Sequence, residues 1–305
     1  MSVAAPTVAG TFPVAAAPQA GAVTPDGHTA YFTSTATDAI DVVDLTSDTS
    51  VATIPIPAGP PQFVAFTPDG RYAYVSVYDQ IHQSGNSVVV IDTDTRREVT
   101  SVPAEKFPYQ IAVSPDGQQV YVPNHDANII SVINTTTNAI SQKIPVQPNP
   151  HSVAFSVDGR RAYVANHASN LVTVIDTSNG AVLAEIPVGR SPHSIAMSPD
   201  GTHVYVVDYD GASVSAIDPI TNKVIATIPV QLEPQSVAFS TDSRHAYVVN
   251  DGSNSVSTID TATSKVTSTV NVGQDPTNVF VGVDGRHAYV TNISSNNVTV
   301  LTVGS

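Results

Sequence analysis

A turn built on aspartate recurs at Asp26, Asp69, Asp116, Asp158, Asp200, Asp242 and Asp284, at intervals of 43, 47, 42, 42, 42 and 42 residues. No other feature restricts the fold as much. The repeating unit is clearest between Val153 and Ser194, where VAFS, RAYVAN, LVTVID and AVLAEIPV are four runs rich in β-formers, each bounded by turn residues. Four short strands joined by tight turns make one antiparallel sheet, which cannot bury both faces alone. Copies stacked side by side can. A period near 42 with four strands per unit predicts an all-β fold, a β-propeller of four antiparallel strands per blade.

The copies assign the strands. A tyrosine follows each turn, at Tyr31, Tyr74, Tyr121, Tyr163, Tyr205, Tyr247 and Tyr289, and is expected to pack between blades. Strand three ends in an Asx residue, as at Asp44, Asn134 and Asp176, suited to starting the next turn. Strand four carries Pro13, Pro55, Pro103, Pro145, Pro187 and Pro229. Proline removes a ladder donor, so strand four is expected at the outer edge. The last copy has three strands, and Thr7–Ser34 aligns without a gap on Ala181–Asp208. Residues 7–15 should therefore supply the missing outer strand of the last blade. The expected result is one domain over residues 1–305, a ring of seven blades.

The motifs carrying the repeat are SPDG, AYV or VYV, VTVID or VSAID, and TIPV; Ala288–Asn292 reads AYVTN. Together they resemble the YVTN β-propeller repeat family over nearly the whole chain. The resemblance implies the propeller fold. It leaves activity open, because members resemble surface-layer and binding proteins and related propellers include lyases, lactonases and metalloenzyme domains.

Composition narrows the partners. Twenty-six acidic and 12 basic residues leave a net charge of −14, which disfavours nucleic acid and anionic lipid. There is no cysteine, hence no disulfide, catalytic thiol or thiolate metal site. No run of 18 apolar residues predicts a membrane span. The opening MSVAAPTVAG lacks the basic and apolar regions of a signal peptide. The chain reads as a soluble monomer, cytoplasmic as written or extracytoplasmic if a leader was removed. P-loop, GxGxxG, HExxH and GxSxG patterns are missing, and nothing signals a nucleotide, haem or flavin.

Where copies differ, function is sought. Alternating strand direction puts the 4→1 connections and 2→3 loops on one face, here the top, and the Asp turns on the bottom. His28, His203, His245 and His287 fall at the bottom; His82, His125, His151, His167 and His193 fall on the top. His151 and His193 lead into strand one of adjacent blades, at the channel mouth. Gln19, Gln62, Tyr109, Gln235 and Thr277 hold the same register, and Glu233 and Asp275 stand just before the proline of that motif. His125 and His167 lie in 2→3 loops, and Tyr78 and Tyr209 join them on the top. A 2→3 loop longer by five residues in blade two, VYDQIHQSGNS, adds Asp79 and His82 and suggests a partial lid.

Imidazole and carboxylate together suit a divalent cation or acid–base work. The expected ligand-binding residues are Tyr78, His82, Tyr109, His125, His167, Tyr209, Gln235 and Asp275. His151, His193 and Glu233 are the candidates for one divalent metal ion and for catalysis. Three functions stay open: binding a small molecule, glycan or protein partner at the top face; metal-assisted lyase or hydrolase chemistry at the same mouth; and a structural surface or assembly role.

Overall fold

The structure is a computed structural model that describes residues 1–304. Seven antiparallel sheets of four strands each form the ring. Blade four is typical: Pro150–Phe155, Arg161–Asn166, Leu171–Asp176 and Val182–Pro187, paired in that order from the inside out. Strand four is outermost in every blade, as its prolines require. The described residues include no helix long and apolar enough to cross a membrane.

Ring closure follows the expected route. Ser2–Pro13 pairs antiparallel with Asn297–Gly304, with Phe12 opposite Val298 and Thr11 opposite Thr299. The strand starts at Ser2 rather than residue 7, and its first residues serve a second purpose. The Ser2 N–H and Oγ–H donate to the two oxygens of Asp242 at 2.8 and 2.7 Å. The Ala4 carbonyl accepts from Thr267 Oγ1 at 2.7 Å and Ser268 Oγ at 3.0 Å. The segment that completes blade seven is thus also strapped to blade six.

The core lies between blades. Tyr31, Ile40 and Ile54 of blade one pack on Val64, Ala73 and Val75 of blade two, and equivalent clusters follow round the ring. Phe12, Val298 and Val300 of blade seven meet Ala30, Phe32 and Val43 of blade one, so no blade exposes an open face. The repeat tyrosines are 0–4% exposed and pack between blades as expected. Tyr31, Tyr121 and Tyr205 meet Phe66, Phe155 and Phe239 of the next blade at 5.0, 4.9 and 4.8 Å between centroids.

The bottom turns form a belt. In six of them a Ser or Thr hydroxyl donates to the turn aspartate at 2.5–2.8 Å. The turn glycines are left-handed, as at Gly27 with φ 78°, and seat the preceding blade's turn residue, here Val283. Blade six has Ser243 there instead, at φ 60°, and its hydroxyl accepts from the Asp200 N–H at 3.0 Å.

Candidate functional site

The top face is organised by the residue before each strand-one proline. Phe107, Asn149, Ser191, Glu233 and Asp275 are left-handed, with φ of 56, 57, 61, 54 and 50°. Their carbonyls accept the N–H of His125, His167, Tyr209, Asp251 and Ile293 at 2.9–3.0 Å. This bond ties the first residue after strand two to the lead-in of strand one. Two concentric rings result: an inner one through Tyr109, His151, His193 and Gln235, and an outer one through His125, His167, Tyr209 and Asp251.

On blades two to five the rings merge into a column of stacked side chains. Tyr78 stacks on Tyr109 at 5.8 Å between centroids, His151 on His193 at 4.3 Å, and His193 on Tyr209 at 4.3 Å, while Tyr109 packs against His151 at 3.9 Å with the ring planes tilted by 45°. His125 and His167 approach edge-on, with His125 5.9 Å from His151 and His167 4.7 Å from His193. Stacking consumes the ring faces. What the inner rings retain for a ligand is their polar edges.

Those edges are only partly satisfied. His193 Nδ1 donates to Gln235 Oε1 at 2.5 Å, which leaves Nε2 as the ring's acceptor. His193 Nε2 and His151 Nδ1 are sealed from solvent and without a partner. His151 and His193 are 6% and 7% exposed. Burial, reinforced by the neighbouring imidazoles His193, His125 and His167, holds His151 well below the usual histidine range. Burial lowers His193 to about 4, against a smaller opposing effect of its bond to Gln235. His167 is lowered by burial and then by His125. These three rings are neutral at pH 7.

The blade-six side is anionic. Asp251 is pushed up to about 6 by burial first, then by repulsion from Asp275 and Glu233. Tyr209 rises to about 12 through burial, then through Glu233 and Asp251. Glu233 does not meet the two inner histidines: its carboxylate folds over Gly252, where a Cβ would stand 2.8 Å from Oε2. Asp275 is exposed and accepts from the Ser294 hydroxyl. No group of three or more His, Asp or Glu among the described residues is placed to hold a metal ion.

The structure therefore brings together Tyr78, Tyr109, His125, His151, His167, His193, Tyr209 and Gln235. It sets Glu233 and Asp275 beside Asp251, beyond Tyr209. His82 stands apart. The insertion in blade two lengthens the hairpin Tyr72–Asp79/Ser84–Asp92; Tyr78 at its base packs on Phe107 at 5.2 Å, while His82 at its tip is 74% exposed and bonds Asp79. Asp251 is the residue the motif search passed over, although it holds the register of His125 and His167.

Beneath the column the channel is tight. The space enclosed by Gln19, Phe63, Tyr109, His151, Gln235 and Thr277 is about 10 Å³ for the centre of a water molecule, room for one. A ligand sits on the mouth rather than passing through. Larger clefts of about 580 and 530 Å³ lie at the bottom, lined by turn residues such as Asp26, Asp69 and Arg71, or Asp158 and Arg161. Their recurrence at successive junctions marks them as spaces left by repetition.

Residues 14–155 match the model of the YNCE-like β-propeller, and residues 142–278 match that of the choice-of-anchor I domain. No curated protein sequence matches the chain. A solved structure titled Kuenenia stuttgartiensis Hydrazine Synthase superposes with a TM-score of 0.84 at 22% identity, over 98% of this chain and 99% of that one. At that identity the likeness is one of fold. The propeller match and the closed ring agree: the chain fits a YVTN-type seven-bladed β-propeller family.

Proposed function

We propose that the protein is a binding module whose top-face mouth takes a small polar ligand on the edges of the histidine column. One observation carries this reading. His151 Nδ1 and His193 Nε2 are buried hydrogen-bonding atoms with no partner, on adjacent blades, at the opening of the channel. Leaving such an atom unpaired costs about 1–3 kcal/mol. Two of them on rings that stack at 4.3 Å are a standing cost; both are sealed in the column, so a ligand relieves that cost by displacing the half-exposed His125 and His167 rings that lie edge-on against them. The mouth is built on strand ends of a closed seven-bladed ring, so little of the binding energy goes into ordering the site.

The test is a thermal-shift screen of small polar compounds against the wild type and the His151→Phe/His193→Phe double variant. Phenylalanine keeps the stack and removes the nitrogens. Compounds that stabilise the wild type and not the variant are expected. Hits that stabilise both equally would put the site elsewhere. Elemental analysis of untagged protein belongs in the same experiment: a stoichiometric divalent metal would make the cation, and not a polar molecule, the ligand of these imidazoles.

A further inference from the structure

We propose that the bottom cleft between blades one and two is a socket for an extended segment of another polypeptide, recognised through a serine. It lies on the face opposite the mouth and stands independently of it. Repetition leaves the space at each junction, and the structure shows what one such space holds.

At the junction of blades six and seven the occupant is the chain's own Ser2. Its N–H and Oγ–H donate to Asp242 Oδ2 and Oδ1 at 2.8 and 2.7 Å. With that hydrogen spent, the hydroxyl oxygen accepts from the His245 Nδ1–H at 2.7 Å. Ser2 also stands opposite Gly304 in the ladder. By repeat register Asp242, His245 and Gly304 correspond to Asp26, Thr29 and Asp94. All three of these line the cleft of about 580 Å³ between blades one and two. Ser2 thus fills at one junction the space that lies open at the other.

The open cleft keeps the groups that such a segment needs. Asp26 forms the same turn, its Oδ1 accepting from the Thr24 hydroxyl at 2.6 Å and the His28 N–H at 3.0 Å. Its Oδ2, the atom that in Asp242 takes the Ser2 N–H, meets no donor among the described residues. Tyr31 is the second unused group: it is 2% exposed, and no described residue bonds its hydroxyl. Elsewhere Tyr74 donates to Asn138 Oδ1 at 2.7 Å and Tyr247 to the Val303 carbonyl at 3.4 Å. Blade two carries Arg96 in the register of Asn138, and a guanidinium cannot accept. Unlike the sealed hydroxyls of Tyr121, Tyr163 and Tyr205, that of Tyr31 opens on the cleft, beside Arg96 and Asp94. A free carboxylate oxygen and a free phenol are one acceptor and one donor, which the N–H and C=O groups of an extended backbone satisfy together. The cleft walls carry both Asp69 and Arg71, so a neutral backbone suits them better than an ion of either sign. The occupant comes from another polypeptide, because this chain's Ser2–Pro13 is committed to blades six and seven.

The probe is acetyl-Ser-Val-Ala-Ala amide, the sequence of Ser2–Ala5, titrated into the 15N-labelled full chain and followed in proton–nitrogen spectra. Saturable shifts of the His28, Gly70, Arg71 and Arg96 amides are expected. Asp26→Asn keeps an oxygen for the turn and removes the second acceptor, so it should weaken binding about tenfold. Alanine in place of the peptide's serine should weaken binding to the unaltered protein by a similar factor. The proposal is overturned if no saturable shift appears at millimolar peptide, or if the serine and alanine peptides bind alike. It is overturned equally if Asp26→Asn binds as the wild type does. Shifts confined to the surroundings of Asp242 and His245 also overturn it, since the peptide then only exchanges with the chain's own Ser2.

Discussion

Replacing Asp208 with Asn should stabilise the protein, and the size of the gain should depend on pH. Asp208 ends strand two of blade five, in the register held by Asn124, Asn166, Asn250 and Asn292. In blade four the Asn166 amide donates to the Val164 and Leu171 carbonyls at 3.1 and 3.2 Å and to Thr173 Oγ1 at 2.9 Å. An ionised carboxylate cannot donate there. Asp208 accepts from the Ser213 and Ser215 hydroxyls at 2.8 and 2.9 Å, its Oδ1 is unpaired, and it is 0% exposed. Burial therefore raises it from 3.8 to about 6, partly offset by the two serine bonds and the Gly189 N–H. The folded state binds the proton more tightly than the unfolded one, so stability falls as pH rises from about 4 to about 6. Above that the full penalty applies, about two pH units or ~3 kcal/mol. Asparagine fits the space, since Asn292 already lies over Gly273 as Asp208 lies over Gly189. Urea denaturation at pH 4 and pH 8 reads the effect. Asp208→Asn should gain about 3 kcal/mol at pH 8 and little at pH 4. An equal gain at both pH values would show that ionisation is not the cause, and a loss at pH 8 would refute the assignment of an unsatisfied carboxylate.

His193→Gln should blunt the acid sensitivity of the fold. Because burial depresses its folded-state value from 6.5 to about 4, its contribution is present above 6.5 and lost as pH falls towards 4, which repeated denaturation across that window would resolve. Phe12→Ala should cost about 3–5 kcal/mol, because Phe12 packs against blade one across the ring closure; an unchanged denaturation midpoint would contradict the latch. Deleting residues 1–13 should lower the melting temperature further and expose apolar surface to a dye. His203→Gln and His287→Gln, at the bottom, should leave ligand affinity unchanged; a large loss would mean that the faces are reversed.

The fold was legible because repetition writes each constraint seven times. The turn aspartates, repeat tyrosines and edge prolines all lie where their spacing predicts. The strap of Ser2 on Asp242 was not, because it is made once and has no counterpart in other blades. At the mouth, register correctly grouped His151 with His193 and His125 with His167. It did not place Glu233 beyond Tyr209, since that depends on a left-handed backbone at the residue before proline, where the usual preference is extended. Register did contain Asp251, one position past Asn250 as His167 is past Asn166, but a search for histidine passed over a carboxylate in the same slot. Nor does spacing reveal that the rings stack and leave buried nitrogens unpaired.

The account stands on ligand contact at the unpaired imidazole nitrogens. With the protein labelled with 15N at histidine, a long-range proton–nitrogen spectrum reports all nine rings at once. Titration with a ligand from the screen should shift the His151 and His193 nitrogen resonances and leave those of His28, His203 and His287 in place. A ligand that saturates the protein while the His151 and His193 resonances stay unchanged would contradict it.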